Sequence, residues 1–224
     1  MSKIITIIGT RPEIIRLSRV IPNLDKTNKN ILVHTGQNYD YELDKIFFDE
    51  LGVREPDYYL GARGSFPEQL AIISKKLEQI IIKEKPNKFV VLGDTNSSLG
   101  SIVAKRLKLK VYHLEAGNRS YLKNSPEEIN RKIIDHISDI NLPYTQRSCE
   151  NLVSEGIKRK NIFIIGNPIY EVMNYYSEKI GRSKILKKLN LVPNNFIVCT
   201  LHREENIENL NNFKNYLFLI KKIA

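Results

Sequence analysis

Glu115 follows directly on the apolar run Lys110-Val111-Tyr112-His113-Leu114. Glutamate is not a common turn former, and a carboxyl group desolvated at such a place holds its proton to higher pH, which suits proton transfer. Asp94 stands in Gly93-Asp94-Thr95-Asn96-Ser97, after the apolar run 88–92. It reads either as a turn residue or as an acid or base in a crevice, while Ser97 can cap the helix that follows. In Ser125-Pro126-Glu127-Glu128, Ser125 reads as an N-cap, Pro126 as the first helical residue and Glu128 as the capping-box partner. That leaves Glu127 for other work. Asp94, Glu115 and Glu127 could therefore gather round one reacting atom.

Cationic residues occupy similar turns. In Gly9-Thr10-Arg11-Pro12-Glu13, the Thr10 and Glu13 pair fits a capping box with Pro12 in the first helical turn, so only Arg11 lacks a local explanation. It lies where backbone N–H groups and the helix dipole favour an anion, and it reads as a phosphate or nucleotide contact. His202 and Arg203, again just after a β-like run, read either as a phosphate-facing cluster or as an exposed loop of mixed charge. The turn His34-Thr35-Gly36-Gln37-Asn38 is unremarkable alone. No G-x-G-x-x-G or G-x-x-x-x-G-K occurs, so neither a dinucleotide fingerprint nor a P-loop is present. His34, His113 and His136 lack metal-ligand spacing and no H-E-x-x-H occurs, so no metal is expected. Cys149 and Cys199 read as free structural thiols.

The elements that must hold these residues alternate. Strands are expected at 3–8, 30–35, 88–92, 110–114, 139–142, 161–165 and 195–199. Helical periodicity falls at 12–24, 41–50, 67–84, 97–107, 127–137, 146–155, 168–189 and 208–222. Near-continuous apolar strands alternating with helices specify an α/β fold with a doubly wound parallel sheet. In such sheets ligands sit outside the carboxyl ends of the strands, where the turns above lie. Gly166-Asn167-Pro168 reads as a boundary between a domain at 1–168 and the opening, incomplete part of a second at 169–224. The chain has 224 residues, 35 Lys+Arg against 25 Asp+Glu, a net charge of +10 and 42% hydrophobic residues. A core of ordinary size follows, and disorder does not. The basic residues are scattered without interleaved aromatics, which argues against nucleic acid and reads as solubility. No run of 18 apolar residues exists and the N-terminal apolar run is too short for a signal peptide, so no membrane insertion and a cytoplasmic location are expected.

Taken in order, Gly9-Thr10-Arg11-Pro12-Glu13, Thr35-Gly36-Gln37, Gly93-Asp94-Thr95-Asn96-Ser97, Glu115-Ala116-Gly117-Asn118-Arg119, Pro126-Glu127-Glu128-Ile129-Asn130-Arg131 and His202-Arg203-Glu204-Glu205-Asn206 resemble the non-hydrolysing UDP-N-acetylglucosamine 2-epimerase family. Within it, Arg11 to Arg19, His34 to Leu43 and Arg131 to His136 resemble the branch that makes UDP-N-acetyl-L-fucosamine from UDP-2-acetamido-2,6-dideoxy-L-talose, for capsule or O-antigen synthesis. The resemblance implies two Rossmann-like domains in a glycosyltransferase-B-type architecture, with the second truncated here, and a homodimer. It implies a C2-epimerase acting by elimination and re-addition of UDP without a redox cofactor. Asp94, Glu115 and Glu127 would be its acid and base set, and His202 would assist the leaving phosphate. Arg11, Arg16, Gln37, Asn96, Arg119, Arg131 and Arg203 would bind substrate. The general UDP-N-acetylglucosamine enzymes usually carry Lys at the place of Arg16 and Gln-His at that of Gln37-Asn38, so allosteric activation by UDP-N-acetylglucosamine is not expected. The rival readings are an epimerase of UDP-N-acetylglucosamine that makes UDP-N-acetylmannosamine, a glycosyltransferase of the same architecture, and a non-catalytic UDP-sugar-binding fragment. The chain as it stands is expected to be inactive or very weak.

Overall fold

The structure is a computed structural model that describes residues 2–36, 45–122, 125–200 and 210–223. Its first compact unit, Met1–Tyr176, is built on a parallel sheet. The strands are β1 (Lys3–Ile8), β2 (Lys29–His34), β3 (Tyr58–Tyr59), β4 (Lys88–Leu92), β5 (Lys110–Leu114) and β6 (Ile140–Leu142), in the order β3-β2-β1-β4-β5-β6. Ile5 lies opposite Ile31 on one side and Phe89 on the other. The helices of this unit are α1 (Arg11–Leu17), α2 (Val20–Thr27), α3 (Lys45–Leu51), α4 (Phe66–Glu84), α5 (Gly100–Arg106), α6 (Pro126–Ile137), α7 (Gln146–Ser154) and α8 (Pro168–Tyr175).

Both faces of the strands are apolar because both are covered. On one face Ile5, Ile7, Val33, Phe89, Val91 and Val111 pack with Ile73 and Leu77 of α4, Ala104 of α5 and Ile134 of α6. On the other, Ile4, Ile8, Leu32, Val90 and Leu92 pack with Ile14 and Leu17 of α1, Ile21 of α2 and Phe48 of α3. Each buried side chain of this size contributes about 1.5–3 kcal/mol. The expected α/β, doubly wound parallel sheet is present. The chain winds outward from β1 to β3 in one direction and from β4 to β6 in the other. The order reverses between β1 and β4, the place at which sheets of this kind form a ligand crevice beyond the strand ends.

Four expectations are corrected. The helix read at 12–24 is two helices, because Pro22 removes an N–H and its ring would crowd the carbonyl of Ser18 in a continuous helix. The run 161–165 makes one isolated bridge, Asn141 with Ile162, and leaves Phe163, Ile164 and Ile165 exposed. The two-residue β3 was not expected, and no strand forms at 195–199 among the described residues. The stretch 168–189 is three short helices. The first of them, α8, lies in the first unit: the Arg19 guanidinium stacks 3.4 Å from the Tyr175 ring centre, and the Tyr176 hydroxyl donates to the Leu51 carbonyl at 2.5 Å.

The second compact unit, Ser177–Ala224, holds α9 (Ser177–Gly181), α10 (Ile185–Lys188) and α11 (Leu210–Ile223). Of the apolar residues of α11, Phe213 and Ile220 are half-buried while Leu210 and Leu217 are exposed. Cys149, on α7, is buried in the first unit against Ala116, Leu152 and Ile162, and Cys199 is exposed.

Candidate active site at the strand tips

Gly9 ends β1 at a point where no side chain fits. A Cβ there would lie 2.0 Å from Ser97 Oγ and 2.0 Å from Thr35 Oγ1. Those two hydroxyls are 2.8 Å apart, so the tips of β1, β2 and β4 close over the glycine. Glu13 fastens the assembly. Its Oε2 accepts the Gly9 and Thr10 N–H groups, each at 2.7 Å, and the Thr10 hydroxyl at 3.1 Å. Its Oε1 accepts the Thr95 hydroxyl at 2.7 Å. Burial raises the Glu13 carboxyl above the usual carboxylate range, against the pull of these donors. The capping reading of Glu13 was therefore incomplete: the same side chain ties the β1 turn to the β4 turn.

Glu115 stands beside this assembly in a left-handed backbone conformation, φ 68°. For a residue with a Cβ that costs about 1–2 kcal/mol, and such strain concentrates where function needs a side chain aimed in one direction. Its carboxylate pairs with Arg16 of α1 and accepts the Asn118 amide at 3.2 Å. Glu115 Oε2 lies 3.6 Å from where a Cβ on Gly93 would sit. The next residue, Asp94, pairs with Arg131 of α6, and its carbonyl accepts the Asn130 amide at 2.9 Å. Asn130 also reaches Asn96 Oδ1 at 3.4 Å, and the Asn96 amide donates to Gln69 at 3.1 Å. The two ion pairs are neighbours. Burial holds the Arg131 guanidinium below the usual arginine range, with Asp135 acting against that shift and the positive charge of Arg16 adding to it. Two carboxylates and two guanidiniums thus share the mouth of the crevice.

The remaining expected residues fall in different places. Arg11 is exposed on the first turn of α1, 6.0 Å above the Phe47 ring. Glu127 is exposed on the first turn of α6, where Ser125 Oγ donates to it at 2.5 Å. It precedes Arg131 by one helical turn on the same helix face. The capping-box reading of Ser125 and Glu128 is corrected: buried Glu128 instead accepts the Ser120 N–H at 2.8 Å and hydroxyl at 3.1 Å, because the chain before α6 folds back across its first turn. Arg119 does not open on the crevice. Its side chain is 1% exposed and pairs with Asp135 at 2.8 Å and Glu155 at 2.5 Å. Gln37, His202 and Arg203 lie outside the described residues.

Two residues at the site carried no functional reading from sequence. His113, fully buried on β5, donates from Nε2 to the Gly93 carbonyl at 2.9 Å, and its Nδ1 lies 2.8 Å from Asp135. It thereby braces the turn that carries Asp94. Its signal was a polar ring inside an apolar strand, which also fits a plain core histidine. Tyr144, just beyond β6, is the second. The buried Asp135 carboxyl is raised by desolvation, but His113 and Arg119 outweigh that and hold it below the usual carboxylate range. A depressed acid stabilises the fold above its unfolded pKa and loses that contribution as pH falls through the folded value. Asp135→Asn is therefore expected to flatten the acid limb of the stability curve below about pH 4 and to lower stability at pH 7 by about 2–4 kcal/mol, as buried Arg119 loses one of its two close carboxylate partners and keeps Glu155. Thermal melts from pH 2 to 7 check both effects.

Among the described residues, no group of three His, Cys, Asp or Glu side chains is placed to hold a metal ion, and no helix is long and apolar enough to cross a membrane.

Known proteins resemble this chain in sequence and fold. A family model described as UDP-N-acetylglucosamine 2-epimerase matches residues 23–224. The chain belongs to that epimerase family. It is 42% identical over 219 residues to the UDP-N-acetylglucosamine 2-epimerase of Methanocaldococcus jannaschii, a match covering 95% of this chain and 60% of that protein. It is 38% identical over 212 residues to the UDP-2,3-diacetamido-2,3-dideoxy-D-glucuronate 2-epimerase of Pseudomonas aeruginosa, covering 92% of this chain and 59% of that one. Among solved structures, the M. jannaschii epimerase in complex with UDP-GlcNAc and UDP superposes with a TM-score of 0.92 at 40% identity, over 99% of this chain and 62% of that chain. A lipopolysaccharide outer core galactosyltransferase shares only the fold, with a TM-score of 0.53 at 15% identity over 74% of this chain and 45% of that chain. The fold is thus Rossmann-like with glycosyltransferase-B-type neighbours. This epimerase-family chain spans about 60% of the length of the curated relatives it matches.

Proposed function

We propose that the complete protein is a UDP-N-acetylhexosamine C2-epimerase, and that this chain supplies the part that moves the C2 proton. The observation that carries the reading is the adjacency of Asp94 and Glu115 at the switch point of the sheet, each carboxylate paired with a guanidinium. C2–H of a nucleotide sugar is not next to a carbonyl, so its removal needs a positioned carboxylate while the C1–O bond to UDP breaks. The proton passes to one carboxylate, the bonding electrons form the C1–C2 double bond, and the C1–O pair leaves with UDP. Return of UDP to C1, with a proton delivered to the opposite face of C2, gives the epimer. Arg16 and Arg131 suit the entering diphosphate: as its oxygens take over the guanidiniums, Asp94 and Glu115 are released toward the sugar. Glu127, one turn from Arg131, and Arg11 at the rim complete the proposed set, with Asn96 holding the Asp94 turn. His202, Arg203 and Gln37 keep their proposed roles as phosphate and substrate contacts. Arg119 is proposed to act from behind, by fixing Asp135.

For the substrate we favour UDP-2-acetamido-2,6-dideoxy-L-talose, giving UDP-N-acetyl-L-fucosamine for capsule or O-antigen synthesis, because Arg16 and Gln37-Asn38 follow that branch's pattern. UDP-N-acetylglucosamine, giving UDP-N-acetylmannosamine, is the second reading, favoured by the M. jannaschii relative. The chain alone is proposed to be inactive, and the complete protein a cytoplasmic homodimer that needs no redox cofactor. The test is proton NMR of the complete protein in deuterated water, offered each UDP-sugar with no acceptor. An epimerase makes the C2-inverted product with deuterium at C2. Product that appears only when an acceptor is added assigns a glycosyltransferase, and no product with either sugar overturns the reading.

A further inference from the structure

Tyr144 is 8% exposed, and its hydroxyl, buried from solvent, has no hydrogen-bond partner among the described residues. Leaving a buried hydroxyl unpaired costs about 1–3 kcal/mol, so its place in the fold matters. Tyr144 follows β6 by two residues, in the turn that precedes α7. There the chain runs beside the end of β5, where the Glu115 N–H donates to the Leu142 carbonyl at 3.1 Å. The charges that act on the phenol are those of Glu115 and Arg16. Burial, reinforced by the Glu115 carboxylate, pushes the phenol above its usual range, so at neutral pH it is an O–H donor and not a base. A phenylalanine would fill the same volume without this cost. An acceptor that arrives with a ligand beside Glu115 would satisfy the hydroxyl.

The identity of that acceptor rests on the function proposed above, in which Glu115 works at C2 of the sugar. The group attached to the same carbon is the acetamido group, whose carbonyl oxygen is a strong neutral acceptor. We propose that Tyr144 donates its hydroxyl to the acetamido carbonyl of the substrate and so selects 2-acetamido sugars. This holds for either candidate substrate, because both carry that group.

The experiment compares the complete wild-type protein with Tyr144→Phe. UDP-N-acetylglucosamine and UDP-glucose are titrated calorimetrically, and epimerisation is followed on the same samples. Loss of one neutral hydrogen bond at the ligand is expected to weaken UDP-N-acetylglucosamine about tenfold and to leave UDP-glucose within about twofold. The melting temperature of the free variant should stay level or rise, as a structural hydroxyl would not allow. Affinity for UDP-N-acetylglucosamine within twofold of wild type overturns the proposal, and so does equal weakening of both ligands. If wild type binds UDP-N-acetylglucosamine but epimerises nothing, the epimerase reading falls while the binding comparison still decides the role of Tyr144. If wild type binds neither ligand, both fall.

Discussion

Replacing Glu115 by Gln in the complete protein is expected to lower kcat for epimerisation about 10³-fold, within the range that a positioned acid or base contributes. The change removes a proton acceptor of nearly unchanged shape. Gln can keep the Asn118 contact and tolerates the same backbone conformation as Glu. Arg16 loses its ionic partner but is 31% exposed, so water can reach it and the fold should survive. KM for the UDP-sugar should change little, since the loss falls on a step and not on ground-state binding. Incorporation of solvent deuterium at C2 should disappear together with turnover. If the variant exchanges the C2 proton at a rate within tenfold of wild type, Glu115 is not the group that moves it.

The second large effect concerns stability. Glu13→Ala removes the acceptor for two N–H groups and two hydroxyls in a place that water does not reach. The hydroxyls can turn elsewhere; the Gly9 and Thr10 N–H groups cannot. At about 1–3 kcal/mol for each stranded donor, plus the void left by the side chain, a loss of roughly 3–5 kcal/mol is expected. For a unit of this size that corresponds to a fall of about 10 °C in Tm. Glu13→Gln is expected to cost far less, because its carbonyl can serve the backbone N–H groups while its amide faces a Thr95 hydroxyl free to turn and accept. The raised carboxyl of Glu13 also has a sign. Its contribution is present in full below the unfolded pKa and declines as pH rises through the higher folded value. Glu13→Gln should therefore lose less, relative to wild type, at pH 7 than at pH 4. Melts of the three proteins at both pH values test the ranking, and equal Tm values for the Ala and Gln variants would sink it.

The framework of the fold was legible because it is written locally. β1, β4 and β5 are apolar runs bounded by turns, and their ends match the expected ones. β3 was not legible, since two residues carry no period. The run 161–165 misled for the opposite reason: its composition is that of a strand, but only one bridge forms, a matter of neighbours and not of propensity. The site was half legible. Glu115 and Arg11 stood out because capping and turn chemistry left them unexplained, whereas Asp94 read equally as a turn residue. What could not be read was which charges meet. Glu13 reaches Thr95 across 82 residues, and Arg16 reaches Glu115 across 99. No local pattern marks such pairs. Arg119 shows the cost: the resemblance implied a substrate contact, while the return of α6 and α7 seals it among acids.

The closure of three strand tips over Gly9 has a mechanical consequence. A glycine without room for even a methyl group, clasped by two hydroxyls and a carboxylate, cannot hinge. Amide protons at residues 9, 10 and 35 should be among the slowest in the domain to exchange with solvent. The floor of the site is then rigid, and any adjustment to the proposed ligand falls to the swing of the long side chains of Arg16 and Arg131 above it.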